Sequence, residues 1–152
     1  MFGLFKPDPI DDSQLGRLAR HGGWWVGKLM LPRFGSIELR VAGGRKEPDA
    51  RSIDLAARVP QLVSALDNEI ARELFEHCTA GQGADDQSAT CPQVETPGDV
   101  WPKVRGQRVE VNSGGREYTI EIACAVDWDE EHTLGLRLHG DRLVELNGSI
   151  LL

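Results

Sequence analysis

The sequence predicts an α+β domain in which one main amphipathic helix covers a six-stranded antiparallel sheet. The sheet is expected to combine an N-terminal hairpin with a C-terminal four-stranded meander. Two observations support this class: apolar and polar residues alternate near both ends of the chain, and apolar residues follow helical spacing in the middle. With 152 residues, 40% of them hydrophobic, the chain suits a single domain spanning 1–152.

The N-terminal hairpin is predicted from two apolar runs, at residues 24–30 and 36–41, with Pro32 and Gly35 between them as turn residues. The preceding residues 12–21 are expected to be a short amphipathic or turn-like lead-in. Trp24 and Trp25 are adjacent in the first run, so one should face the core and the other the opposite side. An exposed tryptophan here is a candidate partner contact, and burial of both is the alternative.

The main helix is predicted by apolar residues at helical spacing up to about Cys78. Ser52 is a candidate cap for a short helical turn, and Pro60 either opens the main helix or lies in the first turn of a longer one. Residues 79–100 lack periodicity and are rich in Gly, Asp, Ser, Thr and Pro, so they are expected to form a flexible loop within the domain. The apolar helix positions are Val59, Leu62, Val63, Leu66, Ile70 and Leu74.

The last third is predicted to be all strand, arranged as two further hairpins. The first joins residues 108–112 and 117–126 through a turn at 112–115, and the second joins 133–139 and 142–150 through Gly140 and Asp141. An acidic break at residues 127–132 separates them.

Charge and cysteine usage restrict the class of partner. The net charge is −7, and residues 51–100 carry 9 acidic but only 3 basic residues, so there is no basic footprint for nucleic acid. An acidic protein suits a basic protein partner, although solubility alone also explains the charge. The start of the chain does not resemble a signal peptide, and no apolar run is long enough to cross a membrane. Three widely spaced cysteines without a C-x-x-C pair are expected to be reduced thiols in the cytoplasm.

The acidic break allows two interpretations. Asp127, Asp129, Glu131 and His132 offer three carboxylates and an imidazole, the groups that a metal-dependent hydrolase would use. In an extended chain, however, His132 would point away from the carboxylates, and the HExxH spacing is absent. We therefore expect a turn that Trp128 anchors in the core and that an acid and His132 fix by hydrogen bonds. Walker, G-x-S-x-G and G-x-G-x-x-G motifs are also absent from a suitable context, so no catalytic residue, metal or cofactor is expected.

The same stretch, read as W-D-x-E-H-x-L-G, resembles a group of small uncharacterised bacterial domains. Some similar domains look like immunity proteins, which block a toxin by binding it. The resemblance implies a toxin as partner, and the acidic charge and the lack of a catalytic motif favour a non-enzymatic protein-binding function with a basic protein as partner. The metal-dependent hydrolase and a structural or homo-oligomerising domain remain alternatives, and the oligomeric state is open. The motif residues proposed as functional are Trp128, Asp129, Glu131, His132 and Gly135.

Overall fold

The computed structural model describes residues 6–80, 91 and 93–152. These residues form one eight-stranded sheet whose strand order follows the chain from β1 to β8, together with two α-helices and a 3-10 helix. In chain order the elements are β1 (Ile10–Asp12), β2 (Gly16–His21), β3 (Trp24–Leu31), β4 (Gly35–Val41), α1 (Ala50–Ala65), α2 (Asp67–Ala80), the 3-10 helix (Pro97–Lys103), β5 (Val104–Val111), β6 (Ile120–Val126), β7 (Asp129–His139) and β8 (Arg142–Ile150).

The α+β class is confirmed, but the prediction of six antiparallel strands is only partly right. The β3–β4, β5–β6 and β7–β8 hairpins are present, and neighbouring strands are antiparallel except β4 and β5, which are parallel. Both α-helices and the 3-10 helix lie in the connection between β4 and β5. A parallel pair needs such a long crossover, so the helical segment itself explains the one parallel contact.

The two additional strands, β1 and β2, occupy the stretch that the sequence predicted as a lead-in. Strand β2 contains only Leu18 and Ala19 as apolar residues, set among Arg17, Arg20 and His21, so its alternation is hidden. Leu18 is nevertheless fully buried. Long-range pairing with β3, rather than local pattern, makes this segment a strand.

The single main helix is replaced by two helices that meet at Leu66. Helix α1 begins before the predicted cap: Asp49, not Ser52, is its N-cap, and the Asp49 carboxylate accepts the backbone N–H of Ser52 at 2.9 Å. Pro60 lies inside α1. The apolar positions still face the sheet, because the helical spacing continues through the junction.

The described part of the predicted flexible loop is packed, which corrects the expectation for residues 93–100. Val94 and Val100 are buried, and a capping box between Thr96 and Asp99 starts the 3-10 helix. Residues 81–90 and 92 of that loop lie outside the described residues.

The cysteine prediction also needs correction. Cys78 and Cys91 form a disulfide with their Cα atoms 5.5 Å apart, and both cysteines are buried. The bridge fastens the end of α2 to the segment that leads into the 3-10 helix. Cys124 is a buried free thiol, as expected, and burial raises its pKa to about 12.

The helices cover one face of the sheet, where the core lies. A row of apolar side chains crosses five strands on this face in register. Its members are Leu39, Val109, Ile122 and Leu136, all fully buried, and half-buried Leu146 at the edge. No helix among the residues described is long and apolar enough to span a membrane.

Candidate functional site

The sheet face opposite the helices carries a row of paired charges. The guanidinium of Arg137 lies between two carboxylates, with Nε donating to Glu121 at 2.7 Å and Nη1 donating to Glu145 at 2.8 Å. The guanidinium also lies over the Tyr118 ring, 4.4 Å from its centroid. These charges satisfy one another, so this part of the face offers little free charge to a ligand.

The two adjacent tryptophans face opposite sides of the sheet. Trp25 is 0% exposed, and its indole N–H donates to the carbonyl of Gly44 at 3.0 Å. Trp24 is half-buried and lines a concavity of about 430 Å³ with Arg116 and Tyr118. Of the two candidate partner contacts, only Trp24 therefore presents surface to a partner.

The acidic motif forms a tight turn followed by a strand. Asp127 and Trp128 are the two turn residues, because Val126 pairs with Asp129 and β7 begins there. The Asp129 carboxylate accepts the backbone N–H of His132 at 3.2 Å and lies 2.9 Å from its Nδ1. Glu131 is exposed. These local hydrogen bonds are the ones that the turn interpretation predicts, although the predicted break at 127–132 shortens to two residues.

Gly135 has a packing role on the outer face of β7. A Cβ atom at this position would lie 2.8 Å from Cγ2 of Ile150, closer than packed carbon atoms approach. The glycine therefore allows the side chain of Ile150, from β8, to cross over β7. This contact explains the motif glycine without a ligand.

The described ranges 6–80, 91 and 93–152 contain no group of three or more His, Cys, Asp or Glu side chains placed to hold a metal ion. Asp129 and His132 lie together, whereas Asp127 is drawn into an ion pair with Arg105. Three of the four residues proposed for a metal or acid–base site are therefore divided between two sets of contacts, and the fourth, Glu131, is exposed.

Trp128 forms a hydrogen bond with His77, a residue 51 positions earlier that no sequence pattern connects with it. Its indole N–H donates to Nδ1 of His77, on α2, at 3.0 Å. A neutral His77 that accepts this bond carries its proton on Nε2, which faces the backbone of Gly148 in β8. Trp128 is half-buried at the margin of the core, so it anchors the turn through α2 rather than from the core centre.

The His77–Trp128 bond predicts a pH-dependent stability. Burial lowers the pKa of His77 below its usual 6.5, and this outweighs the opposing effect of the Asp129 carboxylate. Because the folded protein favours neutral His77, its contribution is present above pH 6.5 and is lost as the pH falls through the lowered pKa.

Urea melts between pH 7.5 and pH 5 should show this loss in the wild type and a smaller loss in His77→Gln. Glutamine keeps a hydrogen-bond acceptor for Trp128 but does not titrate. Equal pH dependence in both proteins would exclude His77 as its cause.

Helix α2 and strand β8 enclose a groove at the edge of the sheet, called here the α2–β8 groove. Its volume is about 480 Å³, and it is lined by Glu69, Arg72 and Glu73 of α2 and by residues 143–146 of β8. Glu69, Glu73 and His77 are spaced four residues apart, so they share one side of α2. His77 lies one turn further along this side of α2, outside the groove lining and close to Gly148 of β8.

The strand that forms one wall of this groove is at the edge of the sheet. In the part of the chain that the structure describes, β8 pairs with β7 and no strand pairs with its other edge. Val144 is an extra residue in a bulge, between the pairs Leu138–Leu143 and Arg137–Glu145, and its side chain is 53% exposed. The opposite edge of the sheet is less suited to pairing with a further strand, because β1 has only three residues and follows Pro7 and Pro9.

The α2–β8 groove was not predicted from the sequence. The spacing of Glu69, Glu73 and His77 was an available signal for an acidic side of the helix, but nothing local indicated that β8 would lie beside it.

Neither the curated proteins nor the solved structures include a match to the chain. A family model, described as a domain of unknown function (DUF6985), matches residues 14–149. The chain therefore belongs to this family of domains of unknown function.

Proposed function

We propose that the chain is a non-enzymatic protein-binding domain and that the α2–β8 groove receives a basic segment of its partner. The single observation that carries this proposal is an acidic helix beside a strand edge with which none of the described strands pairs. A strand edge offers backbone hydrogen bonds, and carboxylates beside it select for cationic side chains.

The charge of α2 supports a basic partner. The helix carries Asp67, Glu69, Glu73 and Glu76 against one guanidinium, Arg72. Asp67 is already bound by Arg33 at 2.8 Å, outside the groove lining. Of the other three carboxylates, Glu69 and Glu73 line the groove together with Arg72, in a protein whose net charge is −7. An approaching cationic segment is therefore attracted both by the whole protein and by the groove.

Apolar surface in the groove supports the binding of a polypeptide rather than a free cation. Val144 is 53% exposed, and Leu143 and Leu146 beside it are half-buried. Covering these side chains removes apolar area from water, at about 25 cal/mol per Å². A partner with an apolar residue between basic ones would match both the surface and the charge.

The biological role in which this binding takes part is proposed from the resemblance of the W-D-x-E-H-x-L-G motif to that of small bacterial domains. A bacterial, immunity-type role is consistent with the groove, because a basic toxin is a partner of complementary charge. The cytoplasmic location expected from the sequence conflicts with the Cys78–Cys91 bridge, since disulfides persist chiefly in oxidising compartments.

Selection from a random heptapeptide display library tests the proposal. The library is selected on the wild type and counter-selected on a Glu69→Gln/Glu73→Gln variant. We expect enriched peptides to contain Lys or Arg beside apolar residues. Their Kd should rise about tenfold, or about 1.4 kcal/mol, in the groove variant.

The matched control is Glu117→Gln/Glu131→Gln, which removes the same charge at two exposed sites outside the α2–β8 groove. Its Kd should stay within about twofold of the wild type. Failure to enrich any groove-dependent peptide, or equal weakening by the control, would contradict the proposal.

The alternative function is a homo-oligomer in which β8 pairs with β8 of a second copy. Light scattering of the free protein distinguishes the two, since that pairing would give a dimer.

A further inference from the structure

We infer that the partner segment binds as an added β-strand, paired through its backbone with the free edge of β8. This inference rests on the proposed function, because it states how the basic segment occupies the α2–β8 groove. It makes main-chain hydrogen bonds the source of affinity, with the side chains of α2 selecting charge.

The paired part of β8 limits the length of the added strand. One bulge places Val144 out of register, and a second irregularity lies between the pairs Gly135–Asn147 and Thr133–Ile150. Between them, Glu145, Leu146 and Asn147 pair regularly with Arg137, Leu136 and Gly135. This three-residue window extends for about 10 Å, at about 3.3 Å per residue. It therefore accommodates a short extended segment rather than a long strand.

The two sides of the added strand would meet different surroundings. Leu146 faces the helices and packs against the core, whereas Glu145 faces the opposite side, where Arg137 holds it. Alternate side chains of the added strand would accordingly face Glu69 and Glu73 on α2. Basic residues are expected at those positions, in a period of two.

Val144 would set the register of the added strand along β8. It is the extra residue of the bulge, directly before the regular window, and its exposed side chain lines the groove. An apolar residue of the partner placed against Val144 would fix the register. Without such a contact, a strand can slip along an edge by two residues and keep the same sides.

Single N-methylation along a selected heptapeptide tests strand addition. Each methyl group replaces one N–H donor, and in a strand only alternate N–H groups point toward a given neighbour. We expect Kd to rise about tenfold or more at alternate positions over the central three or four residues, and to change less than about twofold at the positions between them. Amide hydrogen exchange at residues 145–147 should also slow when the unmodified peptide binds.

Uniform tolerance of N-methylation, or losses at consecutive positions, would overturn strand addition. The proposed function would survive that result, because the selected peptide would still require Glu69 and Glu73. Conversely, absence of groove-dependent peptides overturns the proposed function before this experiment begins. Val144→Asp should weaken the peptide by about tenfold, and Met30→Asp, at another exposed apolar site, should not.

Discussion

Replacing Asp49 by alanine is expected to lower the free energy of unfolding by about 2–4 kcal/mol. The Asp49 carboxylate caps α1 and accepts the hydroxyls of Ser52 and Ser113, each at 2.7 Å. Ser52 is fully buried, and its hydroxyl oxygen accepts the backbone N–H of Ser113 at 3.0 Å. Removal of the carboxylate therefore takes away one of the links between α1 and the β5–β6 turn and leaves the hydroxyl donors of Ser52 and Ser113 without this acceptor.

Asp54→Ala is the matched control, because it removes an exposed carboxylate from the same helix. It should change stability by less than about 0.5 kcal/mol in urea melts. Hydrogen bonds from Ser113 and Ser52 lower the pKa of Asp49 below 3.8, so the Asp49 contribution is present above that pH and is lost as the pH falls further. A loss under about 1 kcal/mol for Asp49→Ala would show that water replaces the carboxylate.

Trp128→Ala is expected to cost about 2–3 kcal/mol, below the usual value for a fully buried aromatic residue. The indole is half-buried, but it carries the hydrogen bond that joins the β6–β7 turn to His77. Trp128→Phe keeps most of the apolar contact and removes the N–H donor, so it should cost about 1 kcal/mol.

Urea denaturation of both Trp128 variants provides the measurement. Equal costs for Ala and Phe would mean that the hydrogen bond carries the stabilisation. Near-zero costs for both would mean that the turn does not need Trp128, and the motif tryptophan would then be available for a partner.

Strong alternation made the inner strands predictable. Ile37, Leu39 and Val41 alternate with polar residues in β4, and they are buried as that pattern requires. The same method failed for β2, where basic residues surround Leu18. It also could not separate α1 from α2, since the apolar spacing passes through Leu66 without interruption. Local periodicity indicates which face of an element is buried, but it does not indicate where one helix ends and the next begins, or the order of the strands.

The candidate site was harder to predict because its parts are distant in sequence. His77 and Trp128 are 51 positions apart, and a lone histidine carries no spacing signal. The Cys78–Cys91 bridge similarly depends on how α2 returns to the 3-10 helix. The turn at Asp127 and Trp128, by contrast, was predictable, because the Asp129–His132 hydrogen bonds beside it are local.

Amide chemical-shift mapping of the labelled protein with a selected heptapeptide locates the bound segment. If a basic segment binds between α2 and β8, the largest shifts will fall on residues 69–77 of α2 and 143–148 of β8. Shifts centred instead on Trp24 and Tyr118, on the opposite face of the sheet, would contradict it.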